Sequence, residues 1–389
     1  MKSYSRIRLL PWTVLLPLLL ASTAVSQTYL GTYAADGKYH PLSKMSRWYN
    51  EAEKTGSEAD VRAQNVPDWV NLHPREESVQ NYQPPTHAVS AAKAPSAWAN
   101  LRDNIITFAY GHERLLASPQ RMTTDSTGRL IVADPAGSAV HVLGETQSFR
   151  ILTGPRRRVQ KPSGVAVDAD DNIYVADSEQ GLVAVFDSSG RFLRYFGKLG
   201  DESLFHYPTG IAIDRHSGTL YVLDTERHLL FLMDLKGNVV RRVGRYTGND
   251  RVVDFEYPTE IAVGENCLAI MDAEASRVWI TDLEGNPLHQ FSFAVHDRPE
   301  MGDRVGLAID SVGNVYVTRS SDGSVRVYGR DGRLASSFGH SGDGAGEWRA
   351  ASGLWIDAHD RLYVGDQDSQ RIQLFQLIRP TPVIVAAGE

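Results

Sequence analysis

The sequence predicts an all-β fold, a six-bladed β-propeller over residues 104–379 of a 389-residue chain. Three observations carry that prediction. Six copies of one segment recur between Ser118 and Leu377, with equivalent starts at 119, 162, 208, 258, 304 and 351. Their steps of 43, 46, 50, 46 and 47 residues suit a four-stranded blade, and only strand patterns occur inside each copy. The last copy stops after its third strand, so its fourth must come from upstream, as when a ring closes on itself.

The first strand opens on a proline motif. It is clearest as Lys161-Pro162-Ser163-Gly164-Val165-Ala166-Val167-Asp168, Tyr207-Pro208-Thr209-Gly210-Ile211-Ala212-Ile213-Asp214 and Tyr257-Pro258-Thr259-Glu260-Ile261-Ala262-Val263-Gly264. The second strand is apolar nearly throughout, as in Ile173-Tyr174-Val175-Ala176-Asp177 and Leu268-Ala269-Ile270-Met271-Asp272. An unbroken apolar run predicts burial of both faces, which blades stacked side by side supply. A third strand follows, as in Leu182-Val183-Ala184-Val185-Phe186. After a turn such as Ser188-Ser189-Gly190 comes a fourth, Phe192-Leu193-Arg194-Tyr195-Phe196. For the sixth copy, Ile105-Ile106-Thr107-Phe108-Ala109-Tyr110-Gly111 repeats the aromatic-glycine ending of Tyr195-Phe196-Gly197. It is the expected N-terminal strand that completes the blade and leaves no free sheet edge.

These copies resemble the NHL repeat family. The resemblance lies in the Pro-[Ser/Thr]-Gly-[Val/Ile]-Ala-[Val/Ile]-Asp opening, the [Ile/Leu]-Tyr-Val-x-Asp strand, and the arginine opening the third strand at Arg277, Arg326 and Arg371. It covers about two-thirds of the chain and implies the propeller fold. It does not choose a function, because similar rings include protein-binding, RNA-binding and sensor modules as well as metal-dependent lyases and lactonases.

The N-terminus predicts export. Lys2, Arg6 and Arg8 precede an apolar run from Leu9 to Leu20, and Ala24-Val25-Ser26 suits a signal peptidase, so residues 1–26 read as a signal peptide. The mature protein is then periplasmic or secreted, without stable membrane insertion. The alternative is an uncleaved membrane anchor, although the run is short for a span and Pro11 and Pro17 interrupt it. Residues 27–103 form an extension or linker, broken by Pro67, Pro74, Pro84, Pro85 and Pro95, with a short helix expected within 43–64. Residues 380–389 are a tail. The single cysteine, Cys267, excludes an intramolecular disulfide and is expected in an apolar strand of the core. Export and a net charge of −7 argue against nucleic acid.

Candidate site residues are those that break the repeat at the loop-rich channel mouth, where strands supply the frame and loops the chemistry. The motif glycine is present as Gly164, Gly210, Gly306 and Gly353, but copy one has Arg121 there and copy four has Glu260. Three blades apart in a six-fold ring, these two face each other, and pairing lowers the cost of burying them. They form either a structural plug or the polar floor of a ligand site. Above them the position two before the proline varies, with Gln160, His206, Glu256 and Arg349. Arg156-Arg157-Arg158 and Lys161 crowd one loop. Together Arg121, Glu260, His206, Glu256, Arg349, Arg157 and Lys161 predict a mouth for a polar, even anionic, ligand such as a protein or glycan.

A monomeric binding or scaffold module without a cofactor is therefore the expected function. The alternative is a metal-assisted lyase or a lactonase-like hydrolase using a divalent metal at the same mouth, through His206 with Glu256 or Glu260. One histidine makes a poor metal site. Asp168-Ala169-Asp170-Asp171-Asn172 looks a little like a calcium loop, but lacks the downstream glutamate and reads as a turn. The acids that recur in nearly every copy point to turn geometry rather than catalysis.

Overall fold

The structure, a computed structural model, describes residues 26–33, 39–41, 116–144, 148–199, 202–244, 253–293, 305–319 and 323–378. Every regular element among them is a strand. Six antiparallel sheets follow one another along the chain as blades. Blade 1 is Met122–Thr124, Leu130–Asp134, Ala139–Leu143 and Phe149–Leu152; blade 2 is Pro162–Val167, Ile173–Asp177, Leu182–Phe186 and Phe192–Phe196. Blade 3 runs Pro208–Asp214, Thr219–Asp224, Leu229–Asp234 and Val239–Val243; blade 4 runs Pro258–Val263, Leu268–Asp272, Arg277–Thr281 and Pro287–Ser292. Leu307–Ile309, Val315–Arg319, Ser324–Tyr328 and Leu334–Phe338 make blade 5, and Ala351–Ile356, Arg361–Asp366 and Arg371–Ile378 begin blade 6. A small hairpin, Lys198–Leu199 with Glu202–Ser203, stands between blades 2 and 3.

The strand completing blade 6 is not the one expected. Ser26–Tyr33 pairs antiparallel with Arg371–Ile378, from Ser26 opposite Ile378 to Tyr33 opposite Ile372, and Tyr39–Pro41 adds a fifth strand outside it. The expected segment 105–111 lies outside the described residues, as does the helix expected within 43–64. An outer strand needs only an extended, β-prone stretch that can reach a free edge. Gln27-Thr28-Tyr29-Leu30-Gly31-Thr32-Tyr33 meets that requirement as well as 105–111 does, with Gly31 at a bulge in the register. The part of the chain assigned to an extension thus begins inside the sixth sheet.

The core lies between blades. Buried apolar side chains form six clusters, one for each pair of neighbours. Met122, Leu130 and Val132 of blade 1 pack with Tyr363, Ile372 and Leu374 of blade 6. The second strands are buried along their whole length, as their apolar runs predicted, in Leu130–Asp134, Ile173–Asp177 and Leu268–Asp272. Outer strands alternate, as Val239–Val243 does, because only one face meets a neighbour. Cys267 is half-buried and stands just before a strand rather than within one, packing against the cluster between blades 4 and 5.

Hydroxyls of the opening motif stitch the inner ends together. Ser163 Oγ donates to Pro208 O at 2.6 Å, and Ser352 Oγ donates to Pro119 O at 2.8 Å, joining blade 6 to blade 1. Between blades 3 and 4, Thr225 Oγ1 donates to Pro258 O at 2.7 Å and lies 2.7 Å from Thr209 Oγ1. In blades 2, 5 and 6 the acid ending the first strand and the tyrosine of the second are partners. Tyr174 donates to Asp168 at 3.0 Å, Tyr316 to Asp310 at 3.2 Å and Tyr363 to Asp357 at 3.3 Å. Asp168 Oδ1 also accepts from Asp170 N and Asn172 N, so the calcium-like segment is a hydrogen-bonded turn.

Candidate functional site at the channel mouth

The mouth is shaped by the second-strand acids. Asp177 accepts from the amides of Gln160 and Lys161, and Asp224 from those of His206 and Tyr207. Asp272 accepts from Glu256 and Tyr257, and Asp366 from Arg349 and Ala350. Asp134 does the same for Ala117 and Ser118. In four blades the residue after the acid returns a bond, Ser178 N to Lys161 O, Thr225 N to Tyr207 O, Ala273 N to Tyr257 O and Gln367 N to Ala350 O, whereas Pro135 after Asp134 has no amide hydrogen to give. Each of these four lead-in loops is therefore pinned on both sides of the residue before the inner strand. These carboxylates work on backbone amides, which excludes them as free acids at the mouth. Arg319 replaces the acid in blade 5, and the loop before it, 294–304, lies outside the described residues.

Below the rim, Arg121 and Glu260 meet as expected. Arg121 Nε lies 2.8 Å from Glu260 Oε1, with the side chains 18% and 13% exposed. The Nε contact is ionic and off the N–H direction, while Nη2 donates to Thr259 O at 2.8 Å. Burial pushes the Glu260 carboxyl up to about 7, against the pull of Arg121. The remaining blades show why glycine is the usual residue here. An added Cβ would lie 2.4 Å from Thr209 O at Gly164, 2.9 Å from Thr259 O at Gly210, 2.7 Å from Leu354 N at Gly306 and 1.6 Å from Gln120 O at Gly353. At these four positions the neighbouring inner strand leaves no room for a Cβ.

The lower end carries a residue not singled out from the sequence. Arg215, just past the inner strand of blade 3, donates Nε to Val167 O at 3.0 Å and Nη2 to Thr124 O. It thereby bridges the lower ends of blades 1 and 2, and although the residue as a whole is exposed, desolvation of its guanidinium lowers its pKa despite nearby Asp171, Asp125 and Asp168. Trp355 Nε1 donates to Thr124 Oγ1 at 3.1 Å from blade 6. Arg215 follows the strand rather than sitting in a repeat column, so no pattern marked it.

The other candidates are spread around the rim and do not converge. His206 Nε2 lies 2.8 Å from Arg227 Nη2 in blade 3. Glu256 sits 3.5 Å from Arg277, which is itself 2.8 Å from Asp272, in blade 4. In blade 6, Arg349 and Asp343 form a bidentate pair at 2.6 and 2.7 Å, which lowers the Asp343 pKa and raises that of Arg349. Arg157 is exposed with no carboxylate partner among the described residues. Lys161 Nζ lies 3.2 Å from Tyr207 Oη and 5.5 Å from the Tyr207 ring centre. The sequence reading missed Tyr207 and Tyr257 as site residues, although both stand in the column of Lys161, immediately before the motif proline. Tyr257 is 39% exposed; its pKa is raised by burial and by Tyr207, Glu274 and Glu226, against Lys161. Among the described residues no group of three His, Cys, Asp or Glu side chains could hold a metal ion.

Six stacked antiparallel blades, five of four strands and the sixth of five, define a β-propeller module. Residues 160–186 and 205–231 match the NHL repeat model, so blades 2 and 3 of this six-bladed propeller carry NHL repeats. Over 153 residues it is 32% identical to Protein brain tumor of Drosophila melanogaster, covering 38% of this chain and 14% of that protein. Over 185 residues it is 27% identical to NHL repeat-containing protein 2 of Homo sapiens, covering 39% of this chain and 26% of that one. The aligned part thus spans about a seventh to a quarter of these curated relatives. A gluconolactonase of Xanthomonas campestris superposes with a TM-score of 0.50 at 16% identity, over 68% of this chain and 88% of that one. That likeness shows the fold alone.

Proposed function

We propose that this protein is a binding or scaffold module that takes a polar ligand with an anionic group at the loop-rich mouth. One observation carries the reading. Arg156, Arg157, Arg158 and Lys161 are all exposed on a loop pinned by Asp177, and none has a carboxylate within ion-pair distance among the described residues. By contrast, Arg129, Arg277, Arg349 and Arg361 are each paired with a carboxylate. Arg158 and Lys161 lie over the rings of Phe192 and Tyr207, and a pinned cationic loop with no carboxylate partner among the described residues is suited to an external anion. The N-terminal basic, apolar and small-residue pattern supports work outside the cytoplasm.

The metal-assisted alternative is less well supported. His206, Glu256 and Glu260 each lie against an arginine, and a bound cation would have to compete with Arg227, Arg277 and Arg121. The test is affinity capture and direct titration with acidic peptides and oligouronates, comparing the protein with an Arg157→Glu/Lys161→Glu variant. Binding that falls with rising salt and disappears in the variant supports the reading. Equal binding by both proteins, or a stoichiometric divalent metal lost on His206→Ala, overturns it. N-terminal sequencing of protein recovered from cell fractions tests the export proposal, with a start at Gln27 in an extracytoplasmic fraction as the expected result.

A further inference from the structure

The mouth is electrically two-sided. In the blade 2 loops at the mouth the exposed cations are Arg156, Arg157, Arg158 and Lys161, and among the described residues there Glu179 is the one exposed acid. In the mouth loops of blades 3 and 4 the exposed acids among the described residues are Glu226, Glu256 and Glu274, faced by the half-buried Arg227 and Arg277. Arg227 is turned to His206 and Asp224, and Arg277 mainly to Asp272, with Glu256 at 3.5 Å. Glu226 and Glu274 sit at the tips of the turns after the second strands and have no cationic partner among the described residues. Between the two sides stand Tyr207 and Tyr257, the first under Lys161 and the second, 39% exposed, beside Glu226 and Glu274. The pair beneath has the same polarity, with Arg121 from blade 1 and Glu260 from blade 4.

Rim and floor dipoles that point the same way reinforce each other across the mouth. A purely anionic ligand lying over the whole arc would place its far end against three glutamates, which like-charge repulsion disfavours. From this juxtaposition we propose that the mouth binds a dipolar peptide segment. Its acidic end lies over Arg157 and Lys161, its apolar or aromatic middle lies on Tyr207 and Tyr257, and its basic end lies over Glu226, Glu256 and Glu274. Both signs of charge on one unbranched chain, separated by an apolar stretch, are peptide chemistry rather than that of an acidic glycan. The two tyrosines supply a large contact area at low conformational cost, as aromatic side chains do in binding surfaces generally. The inference rests on the mouth reading above and narrows its ligand.

The experiment uses end-blocked synthetic peptides of one length around a Gly-Trp-Gly centre. One set is flanked by two glutamates and two lysines in both chain directions; the others carry all glutamate, all lysine or all glutamine flanks. An oligouronate serves as the glycan probe. Titrations at low ionic strength are expected to show the dipolar peptide, in one direction, binding about tenfold more tightly than either singly charged form. Salt should remove most of that difference, because exposed charges are screened. Arg157→Glu/Lys161→Glu should shift preference to the all-lysine peptide, and Glu226→Lys/Glu274→Lys to the all-glutamate one. All four positions are exposed, so unchanged melting would show that the fold is retained. If the all-glutamate peptide or the oligouronate binds as tightly as the dipolar one and Glu226→Lys/Glu274→Lys has no effect, the dipolar inference falls while the anion-binding mouth stands. If no probe binds, both fall.

Discussion

At the scale of single residues, the most consequential departures from the repeat are Arg121 and Glu260, because each replaces a glycine that the backbone of the next blade crowds. Removing one partner leaves the other charge partly buried, which should cost about 2 kcal/mol, scaled down from a fully buried pair for the residual exposure. Replacing both with small neutral residues should cost less than the sum, and additive losses in a double-mutant cycle would refute coupling. Glu260 also predicts a pH effect. Its folded pKa, about 7, lies above the unsited value of 4.5, so the folded state holds more protons between those limits. The Glu260 contribution is therefore most favourable below pH 4.5 and is lost as pH rises through 7. Urea unfolding across that window should show the native protein losing stability relative to Glu260→Gln; parallel curves would count against the shift. At Gly353, alanine would place its Cβ 1.6 Å from Gln120 O, a backbone atom that cannot swing away. Gly353→Ala should cost about 3 kcal/mol by overpacking, read from denaturant midpoints, whereas Gly210→Ala, with 2.9 Å contacts, should cost less.

At the scale of elements, the mouth is a set of loops held by second-strand carboxylates. Asp177 accepts two amides of its lead-in loop and, from Gln180 Nε2, a further bond at 2.6 Å. Asp177→Ala should destabilise by about 2 kcal/mol, since hydrogen bonds to charged groups are among the stronger ones. Hydrogen exchange should quicken at Gln160 and Lys161 before it does in the second strands; unchanged exchange there would show that the loop is held by packing instead. The recurrence of these acids was legible in the sequence, and so was their role in turns and backbone capping. The partnership of Tyr174 with Asp168 was not, because the two motif residues lie on different strands and only the hairpin brings them to 3.0 Å. Tyr207 and Tyr257 were visible in the motif column, but their place between a basic and an acidic rim comes only from the ring.

At the scale of the whole molecule, the six blades share six inter-blade cores, so stability depends on every neighbour pair being present. Arg371–Ile378 has Arg361–Asp366 on one side and Ser26–Tyr33 on the other. Removing residues 26–33 should expose a long edge of blade 6, lower the melting temperature and promote association through that edge. Light scattering and thermal melts of a chain beginning at residue 34 would check this, and a monomer melting like the parent would refute it. A chain processed after Ser26 would keep the strand from Gln27 onward, losing only the pairing with Ile378.

The blade count, the four-strand order, the buried second strands and the meeting of Arg121 with Glu260 were all determined by the sequence, since a repeat period and a two-residue strand period are local patterns that need no distant information. Which upstream strand completed blade 6 was decided by tertiary structure. A free sheet edge selects on backbone reach and hydrogen bonding, and two segments had suitable side chains. The character of the mouth was likewise decided in three dimensions. Loop charges far apart in sequence acquire a direction only when the ring sets blade 2 on one side of two tyrosines and the glutamates of blades 3 and 4 on the other.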